Sequence, residues 1–113
     1  MKAADIAAVC HEANRALTRL VGDVPVQPEW GACGADMQQS CVRGVEYALA
    51  NPAAPPSAQH EAWMAERLSQ GWRLGPVKDS DKKEHPALRP YADLPEEVRR
   101  KDALFKAVVG ALS

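Results

Sequence analysis

Between Gly71 and Asp93 the chain runs for 23 residues without helical period. A span of that length is uncommon inside a small domain and is usually either functional or disordered. Disorder is disfavoured here, because Trp72, Leu74, Val77, Leu88 and Tyr91 are spaced through the segment as anchors. Pro76, Pro86 and Pro90 also lower its entropy when unfolded. With 113 residues in all, the chain has room for one domain, whose other elements must hold this loop in place. The middle of the loop, Lys78-Asp79-Ser80-Asp81-Lys82-Lys83-Glu84, is a mixed charge run expected to form a solvated turn.

The other segments carry the helical period. Residues 2–21 place Ile6, Val9, Cys10, Ala13, Leu17, Leu20 and Val21 on one stripe, and Gly22-Asp23 ends it. His11, Asn14 and Thr18 form an uncharged polar stripe beside it. His11 and Asn14 are expected to make helix-to-loop hydrogen bonds, with a ligand-facing role as the alternative. Residues 22–34 are a connection containing Pro and Gly, with Trp30 as the side chain that folds it onto the core. Residues 36–50 repeat the period with Met37, Cys41, Val42, Val45, Ala48 and Leu49. Gly44 inside this helix costs about 1 kcal/mol relative to Ala, and such a glycine often lets another helix approach closely. Asn51-Pro52 stops the helix.

Ser57 is the expected N-cap of a third helix running to about Gln70, with His60, Trp63, Met64, Arg67 and Leu68 along one side. Gly71 suits the left-handed position after its end. Asp93 and Glu96 have capping-box spacing around Pro95, and Val98, Phe105, Val108, Val109 and Leu112 share one face of the last helix. The expected fold is mainly α: four helices, one long ordered loop, and short strands around 72–78. Large apolar side chains are few, with 21 Val, Ile, Leu and Phe against 20 Ala, so the core must be thin.

A net charge of -1 argues against a sequence-independent nucleic-acid binder, which is normally basic. No apolar run approaches the roughly 20 residues of a membrane span, and charged residues interrupt any signal-peptide core near the N-terminus. Cys10, Cys33 and Cys41 are odd in number and form no Cys-x-x-Cys pair, which fits reduced thiols and a cytoplasmic location. Their spacing, and that of the three histidines, recommends no metal site. No cofactor is expected. The chain has neither a nucleophile-elbow pattern nor a Gly-rich phosphate loop, and it reads as a non-enzyme.

A small-molecule site is the better expectation. Trp63, Trp72 and Tyr91 offer flat surfaces for stacking, although tryptophans at such positions more often belong to the core. Arg73, Lys78, Lys82 and Lys83 offer cations for phosphate, and His11, Asn14, His60 and His85 offer polar groups to read a ligand's edges.

The stretch from Ser57 to Phe105 resembles the ryanodine-receptor repeat, the RyR domain. The resemblance rests on His60-Glu61-Ala62-Trp63, Gly71-Trp72-Arg73-Leu74-Gly75-Pro76-Val77-Lys78-Asp79, Lys82-Lys83-Glu84-His85-Pro86, Pro90-Tyr91, Asp93-Leu94-Pro95 and Lys101-Asp102, in that order. The N-terminal Cys10-His11-Glu12-Ala13-Asn14-Arg15-Ala16 and the Pro28-Glu29-Trp30 loop are similar to stand-alone members from phages and bacteria. On this reading residues 1–113 are one domain, with the repeat signature at 57–105 and a helical extension at 1–56. Leu74 departs from the pattern, since the family often has an aromatic there.

The resemblance implies a mainly helical fold and a ligand-recognition module for a nucleotide-derived molecule, ADP-ribose-like or a cyclic messenger. In a phage such a module would sequester a host defence signal. In animal channels the repeats pair as a pseudo-twofold unit, so a lone copy is expected to homodimerise. The alternative is a protein-interaction or structural module in which the same aromatics and prolines only hold the loop.

Overall fold

The computed structural model describes residues 1–22 and 26–113; Asp23 of the expected helix stop lies outside the described residues. The four expected helices are present as α1 (Ala3–Leu20), α2 (Ala35–Ala50), α3 (Pro56–Ser69) and α4 (Glu96–Leu112). Two short strands, β1 (Arg73–Leu74) and β2 (Glu84–His85), pair in parallel with Arg73 opposite Glu84 and Leu74 opposite His85. Short 3-10 turns at Trp30–Ala32 and Tyr91–Asp93 precede α2 and α4.

The middles of the apolar stripes meet, but Val9, Leu20 and Val21 of the first, Leu49 of the second and Leu68 of the third stay exposed. Ile6, Ala7 and Cys10 of α1, Val45 and Ala48 of α2 and Val109 of α4 form the fully buried centre. Trp30, Cys41, Val42, Phe105, Val108 and Leu112 pack around it. Small side chains suit this centre, because three helix axes converge on it. A Cβ on Gly44 would lie 3.2 Å from Phe105 Cζ and 3.4 Å from Gln59 Nε2, so glycine lets α3 and α4 come close to α2 there. Trp30 anchors its connection as expected: its side chain packs on the core, its backbone N–H donates to the Glu12 carboxylate at 3.0 Å, and its carbonyl accepts from Gln38 Nε2 at 2.8 Å.

Two helix starts differ from the capping expectations. α3 begins one residue before Ser57, with Pro55 as N-cap and Pro56 in the first helical position. Proline's fixed φ and missing N–H favour that place, and Ser57 is drawn inside the helix. α4 starts at Glu96 with Pro95 as N-cap. Asp93 instead donates its N–H to the Pro90 carbonyl at 2.9 Å, closing the 3-10 turn.

The long loop is ordered by its own polar groups. Asp79 Oδ1 accepts the N–H groups of Asp81 and Lys82, and Asp79 and Glu84 exchange backbone hydrogen bonds across the turn. The charge run is thus a solvated turn, with Ser80, Asp81, Lys82 and Lys83 exposed. Gly71 takes the left-handed conformation at φ 88°. At Gly75 a Cβ would meet Glu84 Cβ at 2.5 Å, so the pairing of β1 with β2 depends on glycine there. Of the expected anchors, Trp72 and Leu88 are buried and Tyr91 half-buried. Leu74 and Val77 are not anchors: they are 55% and 64% exposed on the outside of the two-stranded pair.

Candidate functional site

One face of α3 positions the site. His60, Trp63 and Arg67 stand at steps of three and four, hence on a single stripe, and that stripe faces the long loop. His60 donates from Nε2 to the Arg89 carbonyl at 2.8 Å. Glu61 accepts the Tyr91 N–H at 3.2 Å. Lys83 Nζ donates to the Gln70 carbonyl at the end of α3 at 3.0 Å. These bonds fasten the loop to α3 at both ends and bring His85 against Trp63, edge on, with centroids 5.0 Å apart.

Arg67 is the central group. It is 7% exposed, and its guanidinium lies over the Trp72 ring at 4.8 Å. Its Nη1 donates to the neutral Gln70 Oε1 at 3.5 Å. Lys78 reaches in from the loop, its ammonium 3.5 Å from Gln27 Oε1 and 3.8 Å from Met37 Sδ. Those separations exceed the 2.7–2.9 Å usual for a charged donor on a carboxylate. Ion pairs among the described residues include Arg15–Glu12, Arg43–Glu66, His60–Asp102, Arg73–Glu84 and Arg100–Glu96; neither Arg67 nor Lys78 is in one. Burial lowers the pKa of both cations; at Arg67 the more distant Glu66 and Asp36 carboxylates partly offset this, and at Lys78 the Arg67 charge lowers it further.

His85 completes the group as a neutral donor. Its Nδ1 accepts the Ala87 N–H at 3.0 Å, so the proton of the neutral ring sits on Nε2. Burial, then the charges of Lys78, Arg67 and His60, push its pKa down to about 4. Asp102 behaves oppositely. Its Oδ2 lies 3.9 Å from His60 Nδ1 and has no hydrogen-bond partner. Burial pushes its pKa up to about 6, with His60 partly offsetting the rise.

These shifts give a pH dependence whose signs differ. His85 keeps a depressed pKa in the fold, so its contribution to stability is complete above about 6.5 and is lost as pH falls through 4. A shift of that size corresponds to about 3 kcal/mol. Asp102 holds its proton more tightly in the fold, so its contribution is complete below 3.8 and is lost as pH rises through 6. The two oppose one another over nearly the same window. Asp102→Asn removes one side of the balance. Its Tm is expected to fall between pH 6.5 and 4 by of order 10 °C more than that of the unaltered chain. Parallel Tm profiles for the two proteins would contradict these assignments.

The structure brings together Trp63, Trp72, Lys78 and His85 from the sequence-derived candidates, with His60 and Tyr91 behind them, ring centroids 6.0 Å apart. It does not bring Arg73, Lys82 and Lys83 into the group. Arg73 is 71% exposed at its side chain and pairs with Glu84 at 3.1 Å. Lys82 sits on the exposed Asp79 turn, and Lys83 is spent on the Gln70 carbonyl. His11 makes the expected helix-to-loop bond, donating from Nε2 to the Pro28 carbonyl at 2.7 Å. With its proton there, Nε2 cannot serve as a base for the Cys33 thiol 3.2 Å away. Asn14 Oδ1 is buried on α1 without a hydrogen-bond partner.

Arg67, Gln27 and Met37 were not selected from the sequence. A signal for Arg67 was available: the positions three and four residues away are Trp63, Met64, Gln70 and Gly71, none of them acidic.

All three cysteines are free. Burial pushes the Cys10 and Cys41 thiols up to about 11 and about 12, which keeps them protonated at neutral pH. Among the described residues there is no group of three or more His, Cys, Asp or Glu that could hold a metal ion. None of the described helices is long and apolar enough to cross a membrane.

No solved structure matches the chain. The family model of the RyR domain matches residues 47–108, a span that holds the whole α3 stripe, the long loop and Asp102. The arrangement of cations and aromatics just described lies within that span apart from Gln27 and Met37, and the chain belongs to the RyR domain family.

Proposed function

We infer that the protein is a non-catalytic binding module for an anionic, nucleotide-derived small molecule. The observation that carries this reading is the pair of cations, Arg67 and Lys78, held beside Trp63, Trp72 and His85 without a carboxylate on either. Two desolvated like charges raise the energy of the ligand-free fold. A phosphate or pyrophosphate lowers it through charge-assisted hydrogen bonds, to which His85 Nε2–H adds a neutral one. Trp63 and Trp72 supply the aromatic surface that the rest of such a molecule needs. A non-catalytic role is supported by the high thiol pKa values of Cys10 and Cys41 and by the tautomer of His11. Such a module would sense or withhold its ligand, as in the sequestration of a signal.

The experiment is a thermal-shift panel of ADP-ribose, cyclic ADP-ribose isomers, ATP, NAD and cyclic oligonucleotides. A ligand at 100 times its Kd stabilises the fold by about 2.7 kcal/mol, several degrees in Tm. A selective shift names the ligand class. Turnover of NAD by the purified protein would overturn the non-catalytic part. A second reading, a surface for another protein chain or a second copy of this one, is favoured by the exposed Leu68, Leu74 and Val77 on and beside the loop. A flat panel together with concentration-dependent association would favour it.

A further inference from the structure

Arg67 is 7% exposed, whereas Gln70, which touches it from the end of α3, is exposed to solvent. Gln70 stands three residues after Arg67 and four after Glu66, so it neighbours both on the helix surface. Its Nε2 donates to Glu66 Oε1 at 3.3 Å, and its Oε1 accepts from Arg67 Nη1 at 3.5 Å. Glu66 and Arg67 are adjacent in sequence, so their side chains diverge round the helix and Gln70 bridges them. A carboxylate accepts only from the NH₂ end of an amide, so Glu66 turns the Gln70 oxygen toward Arg67. Glu66 is itself held by Arg43 of α2.

The backbone of Gln70 is pinned while its side chain is free to turn. Its N–H donates to the Glu66 and Arg67 carbonyls at 3.2 and 3.1 Å, and its carbonyl accepts Lys83 Nζ at 3.0 Å. Trp72 donates its N–H to the Arg67 carbonyl at 3.0 Å, which sets its ring over the face of the guanidinium. Trp72 is buried, so of the two groups that cover Arg67 only Gln70 can be removed by side-chain rotation alone. The bond that holds it is longer than the usual range of about 2.7–3.2 Å. A neutral ligand oxygen would merely exchange one neutral acceptor for another. An anionic oxygen gains a charge-assisted bond, roughly twice as strong.

We propose that Gln70 is a displaceable cap on Arg67: its amide oxygen holds the place of a ligand's anionic oxygen, and phosphate or pyrophosphate enters by displacing it. The cap makes the site select charged oxygen over neutral oxygen. This inference rests on Arg67 and Lys78 being the anion site.

The test is a pyrophosphate titration of the full ¹⁵N-labelled chain at constant ionic strength. The Gln70 side-chain amide should shift on the same binding curve as Arg67 Nε–H. Trimethyl phosphate, which keeps the phosphoryl oxygen but no charge, should give no saturable shift at either. Gln70→Met keeps the length and removes the competing oxygen, so the pyrophosphate Kd should fall about fivefold. Gln70→Glu sets a carboxylate on Arg67 and should raise Kd at least about tenfold. Ser69→Glu adds the same charge one residue away, exposed and screened by salt, and should raise Kd less than about threefold. Residues 69 and 70 are exposed, and the backbone bonds of Gln70 persist in each variant. A Kd for Gln70→Met equal to or above that of the unaltered chain, equal weakening by the two glutamates, or saturable binding of trimethyl phosphate would overturn the cap and leave the anion site standing. No saturable pyrophosphate shift at Arg67 in any of these chains would overturn the anion reading itself, and the cap with it.

Discussion

Replacing both Arg67 and Lys78 by Met is expected to weaken ADP-ribose binding at least about a hundredfold, while the Tm of the ligand-free protein stays level or rises. The first effect follows from the loss of two charged donors, each worth about 1.5–3 kcal/mol to an anion. The second follows from burial. Arg67 is 7% exposed and Lys78 is partly buried, and neither rests on a carboxylate. An uncharged side chain of similar length removes a desolvation cost and a mutual repulsion. Loss of binding joined to gained stability is the signature of residues kept for a ligand. A purely structural pair would show the reverse. Arg73→Met is the control: its exposed pair with Glu84 contributes little to stability, and it stands outside the group. Calorimetric titration and thermal melts of the double variant and the control check both effects, and an unchanged affinity in the double variant would move the site elsewhere.

Ile6→Ala is expected to cost about 3 kcal/mol, within the 2–5 kcal/mol usual for truncating a buried Ile. Ile6 is 1% exposed and sits at the centre of the α1, α2 and α4 cluster. The chain has no other Ile and few large apolar residues, so the surroundings have little with which to refill the space. In a domain of this size the Tm should fall by of order 10 °C or more. This substitution also tests the standing of the N-terminal helix. The family match begins at residue 47, yet Ile6, Ala7 and Cys10 make up half of the fully buried cluster. A loss below about 1 kcal/mol would mean that α1 is an appendage and that residues 47–108 stand without it.

The helices were legible because each carries one apolar stripe, although Val9, Leu20, Val21 and Leu49 on those stripes stay exposed while Ala7 is buried. Their ends were less legible. Ser57 and Asp93 are good caps in isolation, but Pro55-Pro56 and the Pro90 carbonyl claim the neighbouring backbone first. The loop was recognised as ordered from its aromatics and prolines, and Trp72 and Leu88 hold it. Leu74 and Val77 failed as anchors: among the described residues nothing buries them, and both stay more than half exposed.

The site was legible in kind and only partly in place. Trp63, Lys78 and His85 could be named from residue type. Which cations are free could not, since that depends on partners distant in sequence. The parallel register sets Glu84 beside Arg73, eleven residues away, and the end of α3 takes up Lys83. That Arg67 is a buried cation stacked on Trp72 shows only once the loop folds back on α3.

The most direct measurement is a pyrophosphate titration of the ¹⁵N-labelled protein, following arginine Nε–H, tryptophan indole and histidine resonances. Saturable shifts at Arg67, Trp72 and His85, with Arg73 unmoved, are the predicted result. Shifts confined to Arg73, Lys82 and Lys83, or none at all, would contradict an anion site at Arg67 and Lys78.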